Sequence, residues 1–207
     1  MHRLFIIPLV LLFVHTVHAQ SHTAILGGYT YSTARILVND VKQKSGYRNG
    51  FTACLLFDIP FEGILHFTPS LGYHLSGYQA YYDSGNVKHT ENNIHFFSLE
   101  PALSLHFSCG DKNAIILSFS PVFSFPFSGK EKSTYRNDSI SNDRLKFAYG
   151  DYGLFDLGLS GSVGYKIKKI LLKAGWFQGL TNLDTNEANM RNIQDRIFSF
   201  SIGYFIK

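Results

Sequence analysis

His66, His74 and His106 fall on the same parity of their alternating stretches as Asp58, Glu100 and Asp156, so imidazoles and carboxylates share one face of the chain. Such a set could ligate a divalent metal, or trade protons as general acid and base. None of the intervals between these residues matches a metal-binding signature. The alternative is a buried polar network, with Lys166 and Lys173 supplying positive charge, in which hydrogen bonds and ion pairs satisfy every member. That network is the expected reading, with no metal, no cofactor and no catalytic residue. A second group, Lys130, Lys132, Arg136, Arg144 and Lys146, sits in one polar segment, residues 128–146. These cations could meet lipopolysaccharide phosphates or a protein partner. An ordinary solvated loop is the expected reading.

The elements that must position these groups are strands. In residues 152–183, Phe155, Leu157, Leu159, Val163, Tyr165 and Ile167 alternate with Asp156, Gly158, Ser160, Ser162, Gly164 and Lys166. After Lys168-Lys169 the alternation resumes, with Ile170, Leu172, Ala174 and Trp176 opposed to Lys173 and Gly175. Period two is strand, not helix, so this is an antiparallel hairpin. Comparable alternation predicts strands at 23–35, 50–60, 65–76 running on toward Tyr82, 97–107, 115–127 and 198–206. Short turns are expected at 61–63, 109–113 and 168–169, and polar loops at 38–49, 83–92, 128–146 and 182–195. Pro69, Pro101 and Pro121 interrupt three of the strands and are expected at bulges or strand rims, because each removes a ladder donor.

Composition narrows the class. The 207 residues are 45% hydrophobic and 16% charged, with a mean hydropathy of -0.01, which excludes a disordered chain and a helical membrane protein. The net charge of +4 is scattered, so nucleic acid is not an expected partner. Met1-His2-Arg3 followed by an apolar run predicts a cleaved signal peptide over residues 1–19 and a single domain over 20–207. Cys54 falls in mid-strand and Cys109 in a turn after another strand, and two unpaired thiols are expected.

Eight strands joined by alternating long and short connections match an eight-stranded antiparallel transmembrane β-barrel, with short periplasmic turns and longer extracellular loops. The second face decides between a membrane and a soluble barrel. It carries mostly Ser, Gly, Thr and His rather than the Lys, Glu and Arg of a solvated sheet. Lysine or arginine at mid-bilayer costs about 2 to 4 kcal/mol, and the apolar face nearly lacks both. Trp176, Tyr165 and Tyr204 are expected at the membrane interface, where aromatic side chains form girdles.

Phe57-Asp58-Ile59-Pro60, Ser98-Leu99-Glu100-Pro101, Gly164-Tyr165, Gly179-Leu180-Thr181-Asn182 and Gly203-Tyr204-Phe205, in that order, resemble the PorT-like outer-membrane β-barrel proteins of Gram-negative bacteria. The resemblance covers nearly all of the chain after residue 19, and Gly179-Leu180-Thr181-Asn182 is its most specific mark. It implies a barrel in the outer membrane, surrounded by lipid and lipopolysaccharide and inserted by the barrel-assembly machinery. It implies no reaction, and the export role associated with one member does not transfer on fold alone. The chain departs from the usual aromatic ending of such barrels by finishing Phe205-Ile206-Lys207. The expected function is thus non-enzymatic, a structural or loop-mediated binding role. The alternatives are a barrel acyltransferase or protease acting at the outer rim, and a small soluble ligand-binding barrel.

Overall fold

The computed structural model describes residues 21–82, 85–148, 150–186 and 191–206, so the expected signal peptide lies outside the described residues. Ten strands form one antiparallel sheet: β1 (His22–Val38), β2 (Val41–Lys42), β3 (Lys44–Glu62), β4 (Leu65–Tyr81), β5 (Val87–Ser108), β6 (Asn113–Tyr135), β7 (Ile140–Arg144), β8 (Asp156–Ile167), β9 (Ile170–Gly179) and β10 (Arg191–Phe205). The hydrogen-bonded order runs β10-β9-β8-β6-β5-β4-β3-β1, and β1 pairs with β10 to close the ring. The staves are therefore β1, β3, β4, β5, β6, β8, β9 and β10, the eight strands expected. The ring leaves no open edge among them.

All four expected loops are partly wall, and in 182–195 β10 already begins at Arg191. Residues 38–49 contain a tight turn at Asn39-Asp40, where both residues have positive φ (48° and 61°), after which β2 pairs back on β1. Two left-handed residues in succession give the type I′ turn whose twist suits a hairpin. Asn-Asp between Val38 and Val41 was the signal for it. In 83–92, β5 already begins at Val87, and in 128–146, β6 continues to Tyr135 and β7 returns along it. These polar residues pair because their ladder carries on past the apolar band. A connection of that kind reads as loop only by its composition.

The prolines are not at rims. Pro69 lies opposite Pro101 in the middle of the β4–β5 ladder. Between β5 and β6, pairing stops after Leu103↔Phe119 and resumes at Leu99↔Phe123, which leaves Pro101 and Pro121 within the lapse. The β3–β4 ladder lapses similarly between Ile59↔Phe67 and Leu56↔Ser70. Opposed residues of an antiparallel pair alternate between exchanging both backbone bonds and exchanging none, so aligned prolines confine their missing donors to these two seams.

Burial is inverted relative to a soluble sheet. Leu71 (55% exposed), Leu103 (56%), Phe119 (59%) and Phe200 (64%) project outward in a continuous apolar band, while Thr30, Ser70, Ser104, Ser120 and Asp58 are buried inside. An apolar surface of this extent needs an apolar surrounding. Toward the long-loop end the band carries aromatics that touch one another. Tyr31 stacks on Tyr47 at 4.4 Å, Phe51 meets Tyr73 at 5.3 Å, and Phe97 stacks on Phe127 at 4.6 Å.

Candidate functional site

All eight residues expected inside the barrel are placed on its inner face, but at different levels rather than in one network. At the short-turn end, Asp58 on β3, His66 on β4 and His106 on β5 converge. His66 Nδ1 lies 2.6 Å from Asp58 Oδ1, and His106 Nε2 lies 3.9 Å from the same oxygen. The two imidazoles stack, with centroids 3.6 Å apart and planes 7° from parallel. Ala24, Leu26, Leu56, Ile116, Leu171 and Phe205 pack as an apolar cluster at this end of the interior. Lys166 places its Nζ 4.3 Å from the centre of the Phe205 ring, a cation–π contact rather than an ion pair.

The middle of the interior holds a cavity of about 80 Å³ lined by Cys54, His74, Glu100, Lys173, Ser70 and Ser124 among others. Glu100 and Lys173 bring opposite charges to it. Among the described residues, no ion pair within 4.0 Å includes Glu100, Lys166 or Lys173. His74 stacks on Phe96 at 5.0 Å and so stands apart from the other two histidines. Both cysteines are free, Cys54 toward the cavity and Cys109 exposed in its turn.

Asp156 occupies the next level, accepting a 2.6 Å hydrogen bond from Thr181 Oγ1. A second carboxylate, Asp195, stands near it and accepts from Ser76 Oγ at 3.2 Å, while its Oδ1 is buried without a partner. A Cβ on Gly179 would stand 3.1 Å from Asp156 Oδ2 and 3.0 Å from the Asp195 amide, so glycine makes room for both. The sequence reading missed Asp195 because it borders the polar segment 182–195. The alternation Ile193, Asp195, Ile197 was the available signal.

Beyond the carboxylates the interior turns apolar again. Ala34, Ile36, Tyr78, Ala80, Ile94, Phe96 and Ile193 form a cluster that receives Tyr152 and Leu183 from the long connections. Tyr78 and Tyr152 hydroxyls meet at 3.4 Å. Burial, followed by the neighbouring Tyr78, pushes the Tyr152 hydroxyl well above the ordinary tyrosine range. An apolar plug was not expected, because the inner face reads as small and polar only over the middle of each strand. Polar and apolar levels therefore alternate along the axis, with an apolar cluster near each end and the Asp58, His66 and His106 group beside the one at the short turns.

Of the expected basic surface, Lys130 and Lys132 are exposed on the extension of β6, and Arg144 on β7 lies opposite Lys130. Lys132 also lies opposite Glu91, which accepts from Arg48 Nη1 at 3.0 Å. Arg136 is spent locally: its Nε donates to the Gly85 carbonyl at 2.8 Å and its Nη2 to the Tyr82 carbonyl at 3.1 Å. Lys146 is exposed just beyond β7. Tyr165 and Tyr204 project outward near the short-turn end, and Trp176 lies opposite Phe198 on the outer face toward the long-loop end. His66 and His106 lie at the short-turn end and His74 on the middle cavity, away from the outer rim.

Residues 18–185 match the family model described as the outer membrane protein beta-barrel domain. No curated protein matches the chain. Among solved structures, the chain is similar to the outer membrane protein OprG from Pseudomonas aeruginosa, at 11% identity and a TM-score of 0.48 over 91% of this chain and 97% of that one. It is similar also to Ail, the attachment invasion locus protein of Yersinia pestis, at 13% identity and a TM-score of 0.43 over 90% and 99%. Neisserial surface protein A is 12% identical, with a TM-score of 0.42 over 87% and 97%.

Proposed function

Since the chain belongs to the outer membrane protein beta-barrel domain family, we propose that it is a non-enzymatic barrel of the PorT-like kind, acting through its long-loop end as a structural or binding element of the envelope. The single observation that carries this reading is the apolar cluster around Tyr78, Tyr152 and Leu183 at one end, set against another around Leu26 and Phe205 at the other. A filled interior does not conduct solutes, and eight strands enclose little more than their own side chains. What remains for contact with other molecules is the outer end, where strands project past the apolar band with Lys130, Lys132 and Arg144 on their outer surface. In this reading the short turns are periplasmic and the long connections extracellular. Tyr165 and Tyr204 mark one membrane interface and Trp176 stands toward the other, as aromatic girdles do. The basic residues would meet lipopolysaccharide phosphates, with which Arg and Lys form charge-assisted hydrogen bonds. Insertion would go through the barrel-assembly machinery, and a part in export is the more specific role that the PorT-like resemblance suggests.

The test is electrical and chemical together. The folded barrel in a planar bilayer should give no steady conductance. Vesicles containing lipopolysaccharide should bind the detergent-purified protein more tightly than vesicles of neutral lipid. Stable open channels would end the non-conducting reading, and recovery of the protein in a detergent-free soluble fraction would end the reading as an integral outer-membrane protein.

A further inference from the structure

We propose that Asp58, His66 and His106 form a binding site for a divalent cation of the zinc class inside the short-turn end of the barrel. One ligand atom from each lies within 4.8 Å of the other two. Tetrahedral zinc with bonds of about 2.0 to 2.1 Å sets its ligand atoms roughly 3.3 Å apart. The separations of 2.6 Å and 3.9 Å from Asp58 Oδ1 bracket that value, and the two imidazoles, now stacked 7° from parallel, would tilt out of the stack to aim both in-plane lone pairs at one ion. Two imidazoles and one carboxylate suit a borderline first-row cation rather than magnesium or calcium, which prefer oxygen alone.

A second observation points to a ligand. His106, whose side chain is only 10% exposed, buries its Nε2 without a hydrogen-bond partner, Asp58 Oδ1 standing at 3.9 Å, too far for one. A buried nitrogen left unpaired is costly, and a metal would satisfy it. Beside Asp58 and His106 lies a void of about 20 Å³ that also touches Thr68 and Ser104. That is room for one water, the fourth ligand an open zinc site keeps. Asp58 offsets part of the charge that Lys173, lining the same void, adds.

The three ligands come from β3, β4 and β5, and Asp58 lies in the stretch where the β3–β4 ladder lapses. A cation held there would tie together strands whose backbone bonds are missing. The sequence placed these residues on one face but could not show that the three meet. The site's members are assembled by register across three strands, and no short spacing records that.

The full chain, folded in detergent micelles and stripped with a chelator, is titrated with Co²⁺ and then with Zn²⁺ as competitor. One equivalent of Co²⁺ should produce visible absorption bands that Zn²⁺ removes. His106→Phe keeps a ring to stack on His66 but removes the ligand, and should weaken both metals at least tenfold. His74→Phe should bind as the parent does. A folded parent that binds no Co²⁺ at micromolar concentration, or a His106→Phe variant that binds equally well, overturns the proposal. Should that variant not fold, X-ray absorption of the zinc form of the parent decides. Two imidazole ligands support the site, and none sinks it.

Discussion

Pro69 and Pro101 face each other directly across the β4–β5 ladder, with Pro121 at the same level on the next stave. Their missing donors turn away from one another, toward the two seams. Replacing Pro101 with valine should return a backbone bond between β5 and β6, with a net gain of about 1 kcal/mol less what the freer unfolded chain takes back. Urea unfolding from lipid vesicles measures it. A lower midpoint than the parent's would show that something other than the prolines sets the seam.

Gly158 and Gly161 lie three residues apart on one strand and should respond oppositely to alanine. A Cβ on Gly158 would meet the Phe177 ring at 2.3 Å and the Gln178 carbonyl at 2.5 Å, whereas one on Gly161 meets nothing within 4 Å. Gly158→Ala should cost about 1 to 3 kcal/mol through overpacking, and Gly161→Ala should be nearly neutral. Heat-modifiable migration on gels reports the difference. Equal losses would remove the packing explanation.

The outer plug can be drawn. Leu183 is fully buried in it, so Leu183→Ala should cost about 2 to 5 kcal/mol. The loss should loosen the long connections, seen as faster proteolysis of 136–155 while the barrel itself still migrates as folded. Resistance equal to the parent's would mean the connections are held independently of the plug.

Acidity should tighten the same end. Burial raises the Glu131 carboxyl above its ordinary range, with Arg191 opposing, and Glu131 lies on the β6 extension beyond the apolar band. A carboxyl whose folded value is raised contributes fully below its unfolded value, and that contribution is lost as pH rises through the folded one. Amide exchange near Glu131 should therefore slow as pH falls from neutral toward the ordinary glutamate range, after correction for intrinsic rates. Glu131→Gln should abolish that dependence, and an unchanged profile in the variant would assign it to another group.

Asp40 offers the smallest change. Asp40→Gly should stabilise the hairpin by less than about 1 kcal/mol, because glycine occupies positive φ without strain. Asp40→Val should destabilise it by more. The order of urea midpoints, glycine above parent above valine, is the check.

Much of the barrel was legible because lipid on one side and a crowded interior on the other force strict alternation, as in Phe119, Phe123 and Phe125 against Ser118, Ser120 and Ser124. Alternation also assigned the inward face of Asp58, His66 and His106. It could not say that these three meet while Asp156 and Lys166 lie elsewhere, because level along the axis depends on the stagger between neighbouring strands. The wall past the apolar band was hidden for another reason. Once water bathes the outer face, Lys130 to Lys132 need no apolar partner, and composition no longer separates paired strand from loop. The proline row was misread because each proline was judged alone, whereas its tolerance comes from the others standing beside it.

β5 has 22 residues and β6 has 23, where a crossing takes about 9 to 11. The surplus is cross-bonded to its neighbours, so it behaves as a mast rather than a tether. Whatever seizes its tip is held at a fixed height above the apolar band. A sideways pull there is not absorbed by slack chain. It becomes a torque on the whole cylinder, felt as a change of tilt by the surrounding membrane.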